Sequence, residues 1–122
     1  MTVGTTGEKI AVDFLRAQNH LIVSTNYRSC YGEIDIISIE QGTPNTAVFT
    51  EVKTRSNDTH GSPQSSFSRQ KAFRIIKTAQ HFIGNNKTKL PFAWRFDLIG
   101  IKLNHHGRTQ VTQIKNIIDG SF

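Results

Sequence analysis

Cysteine is almost missing from this chain: Cys30 stands alone among 122 residues. A lone thiol builds no disulfide framework and no cysteine-based zinc site, and reads as a reduced cytosolic thiol. No apolar run approaches the roughly 18 residues that a membrane helix needs, and the N-terminus lacks a signal-peptide pattern. The expectation is a soluble cytoplasmic protein with no membrane partner. No internal repeat or linker interrupts the chain, so 1–122 reads as one domain, long enough to bury a core without disulfide staples. Negative charge is scarce too, since 15 Lys and Arg against 9 Asp and Glu leave a formal net charge of +6. That excess points to an anionic partner, nucleic acid before membrane. The basic residues are not gathered in a low-complexity tail, so a folded binding surface is expected rather than a disordered arm.

The acids that matter lie in one stretch. Gly32 to Ile39 and Ala47 to Thr54 are rich in β-branched residues and alternate, so each reads as a strand. Residues 40–46 between them, with Gly42, Pro44 and Asn45, read as the loop of a β-hairpin. Folded symmetrically about that loop, Ile39 faces Ala47, Ile37 faces Phe49, Asp35 faces Glu51 and Glu33 faces Lys53. Alternation gives Ile34, Ile36, Val48 and Val52 to the other face. Two carboxylates directly opposite one another destabilise a sheet. Held at the edge of a core, they must neutralise, pair with a cation or bind a metal. Oxygen donors favour a hard ion, Mg²⁺ or Mn²⁺. The plainer alternative is a solvated strand end, with Glu33–Lys53 a surface ion pair and Asp35 and Glu51 pointing into water. The metal reading is preferred because both faces carry apolar residues and the acids cluster at one end.

The remaining elements frame this hairpin. Thr5-Thr6-Gly7-Glu8 fits a capping box, and Ile10, Ala11, Phe14 and Leu15 then recur at helical spacing, which predicts a helix over about 6–18. Glu8 is read as a cap whose carboxylate could also look toward the sheet. Leu21 to Tyr27 predicts a first strand, with a turn at 28–32. Residues 55–66 predict a long loop beside the acids, and long loops are usually functional or disordered. Ser68 should cap a helix running to about Ile83, with Ala72, Ile75, Ile76, Ala79, Phe82 and Ile83 as its apolar stripe. Arg74, Lys77 and His81 fall on the opposite face with Lys71 at its margin, a charged face that is ordinary for a surface helix except that it lacks acids. Trp94 to Leu103 predicts a strand parallel to Ala47–Thr54 through a right-handed crossover. Asp97 there could serve as an extra acid, but the expected alternative is that it pairs with Arg95, Lys102 or a neighbouring strand. His105 and His106 read as turn residues without partner ligands, and Val111, Ile114, Ile117 and Ile118 as a short strand and turn closing on the core.

This order of helix, three strands, helix and strand, with Glu8, Asp35, Glu51 and Lys53 so placed, resembles the PD-(D/E)xK nuclease superfamily. Within it the chain closely resembles the YraN family, itself similar to archaeal Holliday-junction resolvases. The matching pieces are Gly32-Glu33-Ile34-Asp35-Ile36-Ile37, Phe49-Thr50-Glu51-Val52-Lys53-Thr54-Arg55, Gly61 ahead of Lys71 and Arg74, and Arg95-Phe96-Asp97. Ile34 stands where the superfamily name has proline. The resemblance implies an α/β restriction-endonuclease-like core: a central mixed sheet flanked by helices. It implies Mg²⁺ or Mn²⁺ held by Asp35, Glu51 and the Val52 carbonyl, with Glu8 a further ligand. Such a metal would activate a water and stabilise charge on the attacked phosphate. Lys53 would orient the water or stabilise the transition state. Arg55, Lys71, Arg74 and Lys77 would contact nucleic acid, DNA before RNA. Members of one fold cut very different substrates, so the resemblance leaves the substrate open. Resolvase-like relatives are dimers, because two opposed strands must be cut, while nothing in this sequence specifies an interface. A catalytically silent binding module of the same fold, or an adaptor for an acidic protein, are the other readings.

Overall fold

The computed structural model describes residues 3–55, 67–86, 89–103 and 108–118. Its elements run α1 (Val3–Ala17), β1 (His20–Ser29), β2 (Gly32–Glu40), β3 (Thr46–Arg55), α2 (Arg69–Asn85), β4 (Ala93–Leu103) and β5 (Thr109–Ile114). The strands form one sheet in the order β1-β2-β3-β4-β5. Three of its four ladders are antiparallel, and β3–β4, joined through α2, is parallel. This is the mixed sheet flanked by helices that the sequence implies, consistent with a restriction-endonuclease-like fold. Residues 56–66, with Gly61, and the two histidines of 104–107 lie outside the described residues.

Two apolar layers hold the sheet between the helices. On one face Ala11 and Leu15 of α1 pack on Ile36, Ile99 and Ile101. On the other Ala72, Ile75, Ala79 and Phe82 of α2 pack on Ile37, Phe49 and Phe96. Each fully buried Leu, Ile or Phe side chain contributes roughly 1.5–3 kcal/mol. Ser68 caps α2 as its sequence suggests, accepting a hydrogen bond from Lys71 N at 3.1 Å. α1 departs from expectation. It begins at Val3, so Thr5 and Glu8 lie inside the helix and the Thr5–Glu8 box does not cap it. Gly7 lets this helix approach β3, where a Cβ would collide with the Thr54 side chain. That contact sets Glu8 beside the sheet.

The hairpin register is the symmetric one, with Ile39 opposite Ala47 and Ile37 opposite Phe49, but the β2–β3 ladder stops at Ile36–Thr50. Beyond it β2 stays with β1 as far as Ser29–Gly32, while β3 stays with β4 as far as Arg55–Lys102. The expected pairs Asp35–Glu51 and Glu33–Lys53 are therefore not ladder partners. Alternation breaks at the same point, because Ile34 and Ile37 both join the α2 layer while Ile36 joins the α1 layer. Across from Asp35, between the pairs Thr25–Ile36 and Tyr27–Ile34, Asn26 takes a left-handed φ of 54°. Asn is among the few residues that tolerate this conformation, and it turns the strand locally.

Candidate functional site

Where β2 and β3 part, backbone donors lose their ladder partners and something must satisfy them. The Asp35 carboxylate does so in part, with Oδ2 accepting from Val52 N at 2.7 Å. That bond ties the carboxylate to the fork between the strands and brings it against Glu51. The two carboxyls are close enough to share a hydrogen bond, and both are largely buried. Burial pushes the Glu51 carboxyl up to about 7, with the Asp35 charge adding to the effect. Asp35 is raised as well, mainly by burial, although the Val52 amide opposes the rise.

The cation beside them comes from α2. Lys71 Nζ lies 3.3 Å from Glu51 Oε1, so the residue expected at the margin of a phosphate-binding face is drawn into the acidic cluster. Lys53 stands further along β3, half-buried and level with Gly100. Arg55 ends that strand, level with Lys102. Arg74 lies exposed and Lys77 half-buried on the outer side of α2.

On the α1 side a cleft of about 270 Å³ is lined by Glu8, Asn26 and Asp35 among others. Burial, then the charges of Asp35 and Glu33, raise the Glu8 pKa. With its amide oriented to suit its neighbours, Asn26 Nδ2 donates to Glu8 Oε1 at 2.6 Å and to Glu33 Oε1 at 3.0 Å. Glu33 also lies 3.4 Å from Arg28 Nε, so its ion pair is with β1 and not with Lys53. Asn26 and Lys71 are thus site residues that the sequence reading missed or misplaced. An Asn inside a β-branched run was the available signal for the first. For the second it was a lysine one turn into the helix that follows the acidic strand.

By donor type Asp35 and Glu51 suit a hard divalent ion: paired oxygen donors whose carboxyls burial pushes toward the protonated form. Glu8 stands apart from them: among the described residues no three Asp, Glu, His or Cys side chains converge on one point. Asn26 instead bridges Glu8 and Glu33.

The expected alternative for Asp97 holds. Arg95 Nε and Nη2 donate to its two oxygens at 2.9 and 3.0 Å, and Arg95 Nη1 donates to Glu40 Oε1 at 2.8 Å. Asn116 N and Gln113 Nε2 complete its shell at 3.1 and 3.3 Å. Asp97 is therefore occupied in tying the sheet to the chain after β5.

No helix among the described residues is long and apolar enough to cross a membrane. The family model for the uncharacterised protein family UPF0102 matches residues 7–101, a span that takes in Glu8, Asp35, Glu51, Lys53 and Asp97. A UPF0102 protein of Caldicellulosiruptor bescii is 40% identical over 120 residues, covering 98% of this chain and 96% of the relative. One from Clostridium botulinum is 39% identical over 115 residues, covering 93% of this chain and 91% of the relative. The chain belongs to the UPF0102 family.

Proposed function

We propose that this protein is a metal-dependent nuclease of the PD-(D/E)xK, YraN-like type, hydrolysing phosphodiester bonds in nucleic acid, DNA before RNA. The observation that carries the reading is the buried Asp35–Glu51 pair, raised toward neutrality with the Lys71 ammonium, among the described residues, as its one ion-pair partner. Buried like charges without a full counter-charge are expensive, and catalytic sites are where such an arrangement is retained. Asp35 and Glu51 would hold Mg²⁺ or Mn²⁺, the Val52 carbonyl would add a donor, and Glu8 would join by leaving Asn26. The ion would supply an activated water and neutralise charge on the phosphate. Lys53, on the same strand as Glu51, would place its ammonium against the attacking water or the phosphoryl oxygens. Arg55, Arg74 and Lys77 would hold the flanking phosphates, and Lys71 would join them once a metal relieves it at Glu51. Action on paired strands of a branched substrate would call for a homodimer.

Cleavage assays on duplex, flap, junction and single-stranded substrates with Mg²⁺ or Mn²⁺ test this. Wild type should cut at least one of them. Asp35→Asn should cut none, and Lys53→Ala should bind metal normally and lose turnover. A second reading, a silent nucleic-acid-binding module, draws support from the unconverged Glu8 and from Lys71 already seated on Glu51. Binding without cleavage of any substrate in the panel would favour it.

A further inference from the structure

The outer face of α2 carries an exposed aromatic ring within a row of cations. Arg69, Phe73 and Lys77 follow one another at four-residue spacing, so they form one row along the helix. Phe73 is 59% exposed at the middle of that row, and Lys77 Nζ lies 5.5 Å from its ring centroid. The whole helix, Arg69 to Asn85, contains no acidic residue.

A second exposed ring belongs to a turn that packs on the same helix. Tyr31, 48% exposed, occupies the turn between β1 and β2. That turn rests firmly on α2. A Cβ on Gly32 would stand 3.6 Å from Arg74 Cβ, and Ser29 Oγ donates to Thr78 Oγ1 at 3.3 Å. Ser29 Oγ also accepts from Tyr31 N at 3.1 Å, which pins the turn itself. One ring thus belongs to a turn whose flanking residues pack on Arg74 and Thr78, and the other follows next to Arg74 in the helix sequence. The same helix sends Lys71 to the acidic cluster on its inner side.

Burying either ring against a protein partner would bring the cationic row with it, so the occupant must supply both flat apolar surface and negative charge. Duplex DNA offers the charge but keeps its base faces stacked away. Unpaired nucleotides offer both, since base faces stack on aromatic rings while the backbone follows the cations. We infer that Phe73 and Tyr31 are stacking platforms for unpaired bases, and that the α2 face with Arg69, Arg74 and Lys77 selects single-stranded or splayed nucleic acid. The inference rests on the nucleic-acid half of the proposed function and is independent of the chemistry.

The test is equilibrium binding in chelator, without divalent metal, of a labelled oligothymidylate and a blunt duplex of equal length. Wild type is compared with Phe73→Leu, Tyr31→Leu, their combination and Phe73→Trp. The combined variant should lose about tenfold or more in single-strand affinity, with an unchanged salt slope, because stacking is not ionic. Its duplex affinity should stay within about twofold of wild type, and Phe73→Trp should keep single-strand binding. Both positions are exposed, and thermal melts confirm that the variants fold. Equal losses for single strand and duplex, or no loss for either, would overturn the inference and leave the nuclease reading standing. Failure of wild type to bind either nucleic acid in chelator would also overturn the inference, while the cleavage panel with metal decides the nuclease reading.

Discussion

Arg95 and Asp35 both sit on the sheet among apolar neighbours, Arg95 grouped with the Glu40 end of β2 and Asp35 near its Glu33 end. They differ in the supply of opposite charge. Around Arg95 every strong charge is answered: Asp97 takes two guanidinium bonds, and Glu40 takes a third with Lys115 Nζ 3.6 Å away. The hydrogen bond from Arg95 holds Glu40 down at about 2. Around Asp35 the acids meet each other first. Burial and the Asp35 charge bring Glu51 up to about 7, and Glu8 is raised in the same way. One cluster is a finished clamp. The other holds two buried carboxyls against a single ammonium, that of Lys71.

The largest effect expected from this contrast is in the clamp. Arg95→Met leaves Asp97, 1% exposed, without its cation. Breaking a buried pair from one side costs about 3–5 kcal/mol, measurable as a lower denaturant midpoint. Asp35→Asn keeps an oxygen for Val52 N and relieves the repulsion, so it should be neutral or stabilise the metal-free fold by about 1 kcal/mol. Equal destabilisation by both changes would erase the distinction between the clusters.

The two clusters should also bend the stability–pH curve in opposite directions. Glu51 rises on folding from an ordinary 4.5 to about 7, so the native state holds the extra proton and stability falls as pH climbs through that window. Glu40 drops from 4.5 to about 2, so its contribution is complete above 4.5 and disappears as pH falls toward 2. Glu51→Gln should flatten the upper limb and Glu40→Gln the lower, as read from denaturant midpoints across pH. The smallest effect is on the surface. Arg74→Ala and Lys77→Ala should each lower the salt slope of nucleic-acid binding by roughly 1, with little change in stability.

The contrast also explains what the sequence could and could not disclose. Alternation and loop length gave the hairpin register as far as Ile36–Thr50, and helical periodicity gave the inward faces of α1 and α2. These follow from burial patterns, which repeat locally. The fork beyond Ile36 does not repeat. It depends on Asn26 adopting a left-handed φ and on the Asp35 carboxylate replacing a ladder partner of Val52, both tertiary events. For that reason Asp35 and Glu51 were expected to meet across a regular ladder and instead meet at its broken end. The Thr5–Glu8 spacing fits a cap and the resemblance makes Glu8 a ligand, but neither discloses that the helix starts at Val3 and leaves the Glu8 carboxylate to Asn26. Asp97 was legible because an Arg two residues away on a strand shares its face.

Calorimetric and thermal titration of Mg²⁺ or Mn²⁺ into wild type and Asp35→Asn, near pH 6.5, most directly tests whether the unfinished cluster is a metal site. Wild type should gain about 2.7 kcal/mol of stability at a hundredfold excess over Kd. It should also release a proton as Glu51 is forced to ionise, and Asp35→Asn should lose most of both responses. A wild-type protein that neither gains stability nor releases a proton would contradict the assignment of Asp35 and Glu51 as metal ligands.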